Sequence, residues 1–212
     1  YGPNTLQANT SGGDNTALGY SALYTNTTGS SNNAIGREAL YSNTTGNSNT
    51  ASGYNALFSN TTANQNTAFG CSSLRSNTTG DENTAVGYNA MHQTTTGEYN
   101  VAFGQMALYY NTTGQKNTAL GRKAGNANTT GSHNTYVGCQ SNADANNYSY
   151  STALGFGAQI TASNQVVLGR STENVSIPGK LGIGTDNPSV SLHSTDGDAI
   201  FGATGSGKTT TA

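Results

Sequence analysis

Residues 202–209 read GATGSGKT, the spacing G-x-x-x-x-G-K-[ST] of a phosphate-binding loop. In a nucleotidase the loop amides and Lys208 would hold phosphates, and Thr209 would help to hold Mg²⁺. That chemistry needs a helix directly after the loop and an α/β sheet around it. Only Thr210, Thr211 and Ala212 follow the loop, and no strand–helix alternation precedes it. The segment therefore reads as a Gly/Thr-rich linker, and nucleotide binding stands as a competing class.

The other reactive side chains are scattered. Cys71 and Cys139 each follow a glycine and lie 68 residues apart, too far along a stacked repeat to form a disulfide. Neither has a second ligand at zinc spacing. His92, His133 and His193 share no common register, and Asp196-Gly197-Asp198 is too short to specify Ca²⁺. No catalytic residue, cofactor or metal site is expected, and the chain is not expected to be an enzyme.

Binding chemistry has better candidates. Tyr20, Tyr54 and Tyr88 recur every 34 residues, and Tyr24, Tyr41, Phe58 and Tyr109 share another register. Aromatic columns of this kind could stack on the sugar rings of a host glycan or could serve packing. Asn26, Asn43, Asn60, Asn77, Asn111 and Asn128 sit in N-x-[ST] sequons, and turn formation accounts for them without a glycan. The pair Thr27-Thr28 recurs at 44–45, 61–62, 78–79, 112–113 and 129–130, which raises ice binding. A flat ice face wants Thr-x-Thr on one strand, with both side chains on one side, whereas these are adjacent and in a turn.

What positions all of these is a repeat. Glycine recurs at 2, 19, 36, 53, 70, 87, 104, 121, 138 and 155, always at a step of 17. Segments such as NTALG (15–19), NTAFG (66–70) and NTAVG (83–87) lead into it, and NTTG closes most units, as at 26–29. Gly19, Gly36, Gly53, Gly70, Gly87, Gly104, Gly121, Gly138 and Gly155 read as structural corners. Two short strands per unit, near 16–18 and 22–24, are expected, with Ala17, Leu18, Ala22 and Leu23 facing inward. Stacking such units at about 4.8 Å pairs every backbone with its neighbours and lets Asn columns exchange amide hydrogen bonds. A pair of helices does not fit between the glycine and NTTG of one 17-residue unit.

Composition agrees with a thin, surface-rich fold. The 212 residues are 33% hydrophobic and only 8% charged, with net charge −2, 12 Tyr and no Trp. That balance lacks the basic excess for nucleic acid, and no apolar run reaches the roughly 20 residues of a membrane helix. The chain opens on Tyr1 rather than Met, so it is expected to be a processed or partial chain. Four small apolar side chains per unit scarcely offset the entropy of ordering 17 residues, so side-by-side homotrimerisation is expected over a thin monomer.

The motif Asn-Thr-Ala-Leu-Gly-x-x-Ala followed by a glycine turn resembles the head repeat of trimeric autotransporter adhesins, lengthened by three residues. The step from Gly155 to Gly169 is 14, the shorter form usual in those heads. The resemblance implies an all-β fold, a left-handed parallel β-roll or β-solenoid of 17-residue coils, homotrimeric. The segment VSIPGKLGIGTDNPSVSLH (175–193) resembles a stretch common in viral and phage tail fibres, where an endosialidase-type intramolecular chaperone often follows. The expected organisation is a solenoid over 1–155, a shorter coil and transition over 156–174, and a fibre-like tail over 175–212. The expected function is a structural or adhesive fibre segment of a virion tail, with self-association and a host surface glycan or receptor as partners. A bacterial surface adhesin head, extracellular, is the alternative; an ice-binding solenoid and a nucleotide-binding protein rank below it.

Overall fold

The structure is a computed structural model and describes residues 2–175. Among them there is no helix. Ten strands of three residues lie side by side in one parallel sheet: β1 (Thr16–Leu18), β2 (Asn33–Ile35), β3 (Thr50–Ser52), β4 (Thr67–Phe69), β5 (Thr84–Val86), β6 (Val101–Phe103), β7 (Thr118–Leu120), β8 (Thr135–Val137), β10 (Thr152–Leu154) and β12 (Val166–Leu168). Thr16 pairs with Asn33, Ala17 with Ala34 and Leu18 with Ile35, and this 17-residue register repeats up to β10. Between β10 and β12 the step falls to 14, with Thr152 opposite Val166. A second, two-stranded parallel sheet joins β9 (Asn142–Ala143) to β11 (Gln159–Ile160). The chain is thus a parallel β-solenoid in which chemically equivalent residues form columns.

The strands alternate, as strands must. The central residue points in: Ala34, Ala51, Ala68, Ala85, Ala102, Ala119 and Ala153 are fully buried. The flanking residues point out. Leu18 is therefore not a core residue as expected; it is half exposed, and so are Phe69, Phe103 and Leu120 in the same column. Strand periodicity is the reason, because neighbours of an inward Ala cannot also face inward.

The expected second strand near 22–24 is not a strand either. Residues 20–25 form a turn, in which the Ala22 amide donates to the Gly19 carbonyl. Ser21 and Leu23 both take left-handed backbone angles, with φ of 52° and 51°. Such angles cost roughly 1–2 kcal/mol for a residue with a Cβ. Two compensations are visible. The Leu23 side chain is fully buried, and its amide donates to the Ala39 carbonyl at 3.0 Å. Leu40, Leu57, Leu74, Met91 and Leu108 repeat that arrangement. At the preceding corner Gly87 has φ +134°, and a Cβ there would come within 2.7 Å of the Gly104 backbone. Only glycine meets both conditions.

The interior of a regular coil is one Leu, two Ala and two buried Asn. Asn32, Asn49, Asn66, Asn83, Asn100, Asn117 and Asn134 form one amide column. Asn49 shows the pattern: its amide N–H donates to Asn32 Oδ1 at 2.9 Å, and its Nδ2 donates to the Ala63 carbonyl at 2.8 Å. Asn26, Asn43 and Asn60 begin a second column, in which Asn43 Nδ2 donates to Asn26 Oδ1 at 2.8 Å and to the Gly46 carbonyl at 3.0 Å. These bonds satisfy turn carbonyls that water cannot reach, so the polar interior is held together instead of penalised.

Candidate functional site

Among the described residues, four surface columns carry the apolar, aromatic and reactive side chains where chemistry could occur. The first is the apolar column of the ten-stranded sheet. Leu18, Ile35, Phe69, Phe103, Leu120, Leu154 and Leu168 are each between 40% and 58% exposed. Thr16, Thr50, Thr67, Thr84 and Thr118 run parallel to it on the same face. Ser52 interrupts the column between Ile35 and Phe69, but an apolar stripe of this length on a solvent face is the kind of surface at which chains associate.

The second column contains Tyr24, Tyr41 and Phe58. Tyr24 and Tyr41 stack with centroids 5.0 Å apart and planes 3° from parallel, and Phe58 follows at 5.2 Å. Arg75 lies 5.3 Å over the Phe58 ring, and His92 stacks on Tyr109 at 5.2 Å. His92 thus belongs to the Tyr24 register, which sequence reading had missed. Burial, and then the Arg75 charge, hold its pKa below the ordinary value. Rings stacked along the column have their faces covered, so they offer a sugar mainly their edges.

The third column was not singled out from sequence at all: Tyr99, Lys116, His133 and Tyr150, at the same step of 17. Lys116 Nζ lies 6.0 Å from the Tyr99 centroid, and His133 stacks on Tyr150 at 4.6 Å. The step itself was the available signal; mixed residue types hid it.

The fourth column holds Tyr20, Arg37, Tyr54, Cys71 and Tyr88 in successive coils. The Arg37 guanidinium sits between Tyr20 and Tyr54, 5.6 Å and 5.8 Å from their centroids, and its Nε meets Glu38 Oε1 at 3.3 Å. Cys71 and Cys139 are both free thiols of this column.

Other candidates are placed as follows. The six sequon asparagines have fully or almost fully buried side chains inside the amide column, where a glycan cannot be attached to the folded chain. The Thr pair is divided: Thr27 Oγ1 donates to the Thr44 carbonyl at 3.0 Å, while Thr28 faces solvent. A cavity of about 500 Å³ lies at the last coils, lined by Gln159, Thr161, Gln165, Val167 and Arg170. Its one charged group is engaged, since Arg170 lies over Phe156 at 5.1 Å and pairs with Glu173 at 2.9 Å. Among the described residues no group of three His, Cys, Asp or Glu is placed to hold a metal, and no helix is long and apolar enough to cross a membrane. His193, Asp196, Asp198 and the 202–209 loop with Lys208 and Thr209 lie outside the described residues. No protein-family model matches the chain, and neither does any curated protein.

Proposed function

We propose that this chain is a structural and adhesive fibre segment that associates with two copies of itself through the outward face of its ten-stranded sheet. The observation that carries the proposal is the stripe from Leu18 through Phe69, Phe103 and Leu120 to Leu168, half exposed in the single chain. A regular coil has one Leu and two Ala inside, and most coils carry one further large apolar side chain on the outer face. Burying the outer stripe in a parallel, in-register trimer would give each coil a second apolar contact. The resemblance of the repeat to adhesin heads, and of the 175–193 sequence to tail-fibre segments, supports reading the fibre as part of a virion tail, with a host surface glycan or receptor as its partner. A trimeric bacterial surface adhesin would use the same face.

The test is mass in solution. Light scattering should return three times the chain mass of 21.6 kDa. Phe69→Asp with Phe103→Asp should return one chain mass, because six carboxylates would meet at the trimer interface. A folded wild-type monomer at micromolar concentration would overturn the proposal.

A further inference from the structure

Tyr20, Arg37, Tyr54, Cys71 and Tyr88 occupy one column at successive coils. Two aromatic rings of that column, two coils apart, are separated by about 9.6 Å at the ordinary strand spacing. That is room for one planar group between them. In the first such interval the chain fills the space itself: the Arg37 guanidinium is held between Tyr20 and Tyr54. In the second interval, between Tyr54 and Tyr88, the intervening residue is Cys71, whose side chain is too short to reach between the rings. Tyr54 and Tyr88 are 46% and 52% exposed, so the interval opens to solvent. Among the described residues no ring or cation is stacked on Tyr88.

We propose that the interval between Tyr54 and Tyr88, floored by Cys71, is a binding slot for a guanidinium group, the side chain of an arginine supplied by another polypeptide. The chemistry is that of the neighbouring interval. A flat, weakly hydrated cation gains from the negative faces of two aromatic rings, where a neutral or anionic group does not. One difference sets the strength. Glu38, which anchors Arg37, is replaced beside the open slot by Ser72, whose Oγ lies 3.8 Å from Cys71 Sγ. Recognition there rests on the rings alone and depends little on a carboxylate. The slot uses none of the residues of the apolar column on which the proposed self-association rests.

Cys71 provides the readout. A cationic methanethiosulfonate (trimethylammonium-bearing) and an anionic one (sulfonate-bearing) both transfer their thioalkyl group to a thiolate, with methanesulfinate leaving and a disulfide forming. At Cys71 the cationic reagent should react roughly five- to thirty-fold faster relative to the anionic one than it does in Tyr54→Leu or Tyr88→Leu. Cys139 is the internal control: its column neighbours are Arg122 and Phe156, and it should favour the anionic reagent. N-acetyl-arginine amide should protect Cys71 from a neutral reagent, an arginine-containing peptide should protect it at lower concentration, and the citrulline analogue should not protect it. Equal protection by arginine and citrulline would overturn the proposal. So would a cationic preference that survives both leucine substitutions, or no preference at all at Cys71. Trimer mass measured on the same samples keeps this outcome separate from that of the self-association test.

Discussion

At the scale of single residues, the coil containing His92 and Thr94 is the weak point of the ladder. Thr94 stands where the other regular coils have Asn. Asn77 Oδ1 and Thr94 Oγ1 are consequently both buried without a partner, and so is His92 Nδ1. An Asn at 94 could donate to Asn77 Oδ1 and to the Gly97 carbonyl, as Asn43 does to Asn26 and Gly46. Thr94→Asn should raise unfolding stability by about 1–2 kcal/mol, the worth of one restored bond and one relieved orphan. Urea titration checks it, and an unchanged midpoint would mean that water already satisfies the gap. His92 adds a pH dependence. Its folded pKa is lowered, chiefly by burial and then by Arg75, while the unfolded chain titrates near the usual value of about 6.5. The unfolded state therefore binds more protons, and stability is full above that value and falls as pH drops through it. Melting temperature between pH 7.5 and 5 should fall more for the wild type than for His92→Gln. Parallel curves would remove His92 from the account.

At the scale of elements, the repeat was legible because glycine, alanine and asparagine recur at a fixed step, and each answers to a backbone need. The 17-residue parallel register, the corner glycines and the Asn columns could all be read that way. The Leu18 column could not. An apolar residue next to an Ala looks like core until a strand assigns the two to opposite faces. Nor could the turn at 20–25, since nothing in Ala-Leu-Tyr announces that a buried Leu will take a left-handed angle. One departure shows how tightly the coils are fitted. Tyr136 replaces the inward Ala and is fully buried, and Gly125 replaces the buried Leu of its own coil. A Cβ on Gly125 would lie 2.6 Å from Tyr136 Cδ2, so the ring fills the space a Leu would occupy. Gly125→Leu alone should destabilise by about 1–3 kcal/mol through overpacking, and Tyr136→Ala alone by about 3–5 kcal/mol through a cavity. The double variant restores the ordinary pair and should lie well above the sum of the two losses. Additive losses in a chemical-denaturation cycle would show that ring and glycine are not coupled. The buried Tyr136 hydroxyl, unpartnered and with its pKa raised by burial, is an extra cost that the double variant also removes.

At the scale of the whole molecule, the question is where a chain so poor in large apolar residues finds its stability. Hydrogen bonds along the stack cover the interior, but each contributes only about 0.5–1.5 kcal/mol net of water. The left-handed residues in every coil take part of that back. The largest uncommitted source is the outer stripe of the ten-stranded sheet, which becomes available only on association. If the proposed trimer supplies it, folding and assembly are one equilibrium, and stability depends on chain concentration. One trimer dissociates into three chains, a gain of two independent particles. Each tenfold rise in concentration should therefore stabilise the trimer by about 2.8 kcal/mol, twice the value of one tenfold step. The midpoint of reversible urea unfolding should accordingly climb as total chain is raised from 1 to 100 μM at fixed temperature. Phe69→Asp with Phe103→Asp should flatten that dependence while the circular dichroism of any remaining folded chain stays that of parallel β-structure. A midpoint independent of concentration in the wild type, together with cooperative unfolding, would mean that the single chain carries its own stability. The exposed column would then need a different occupant.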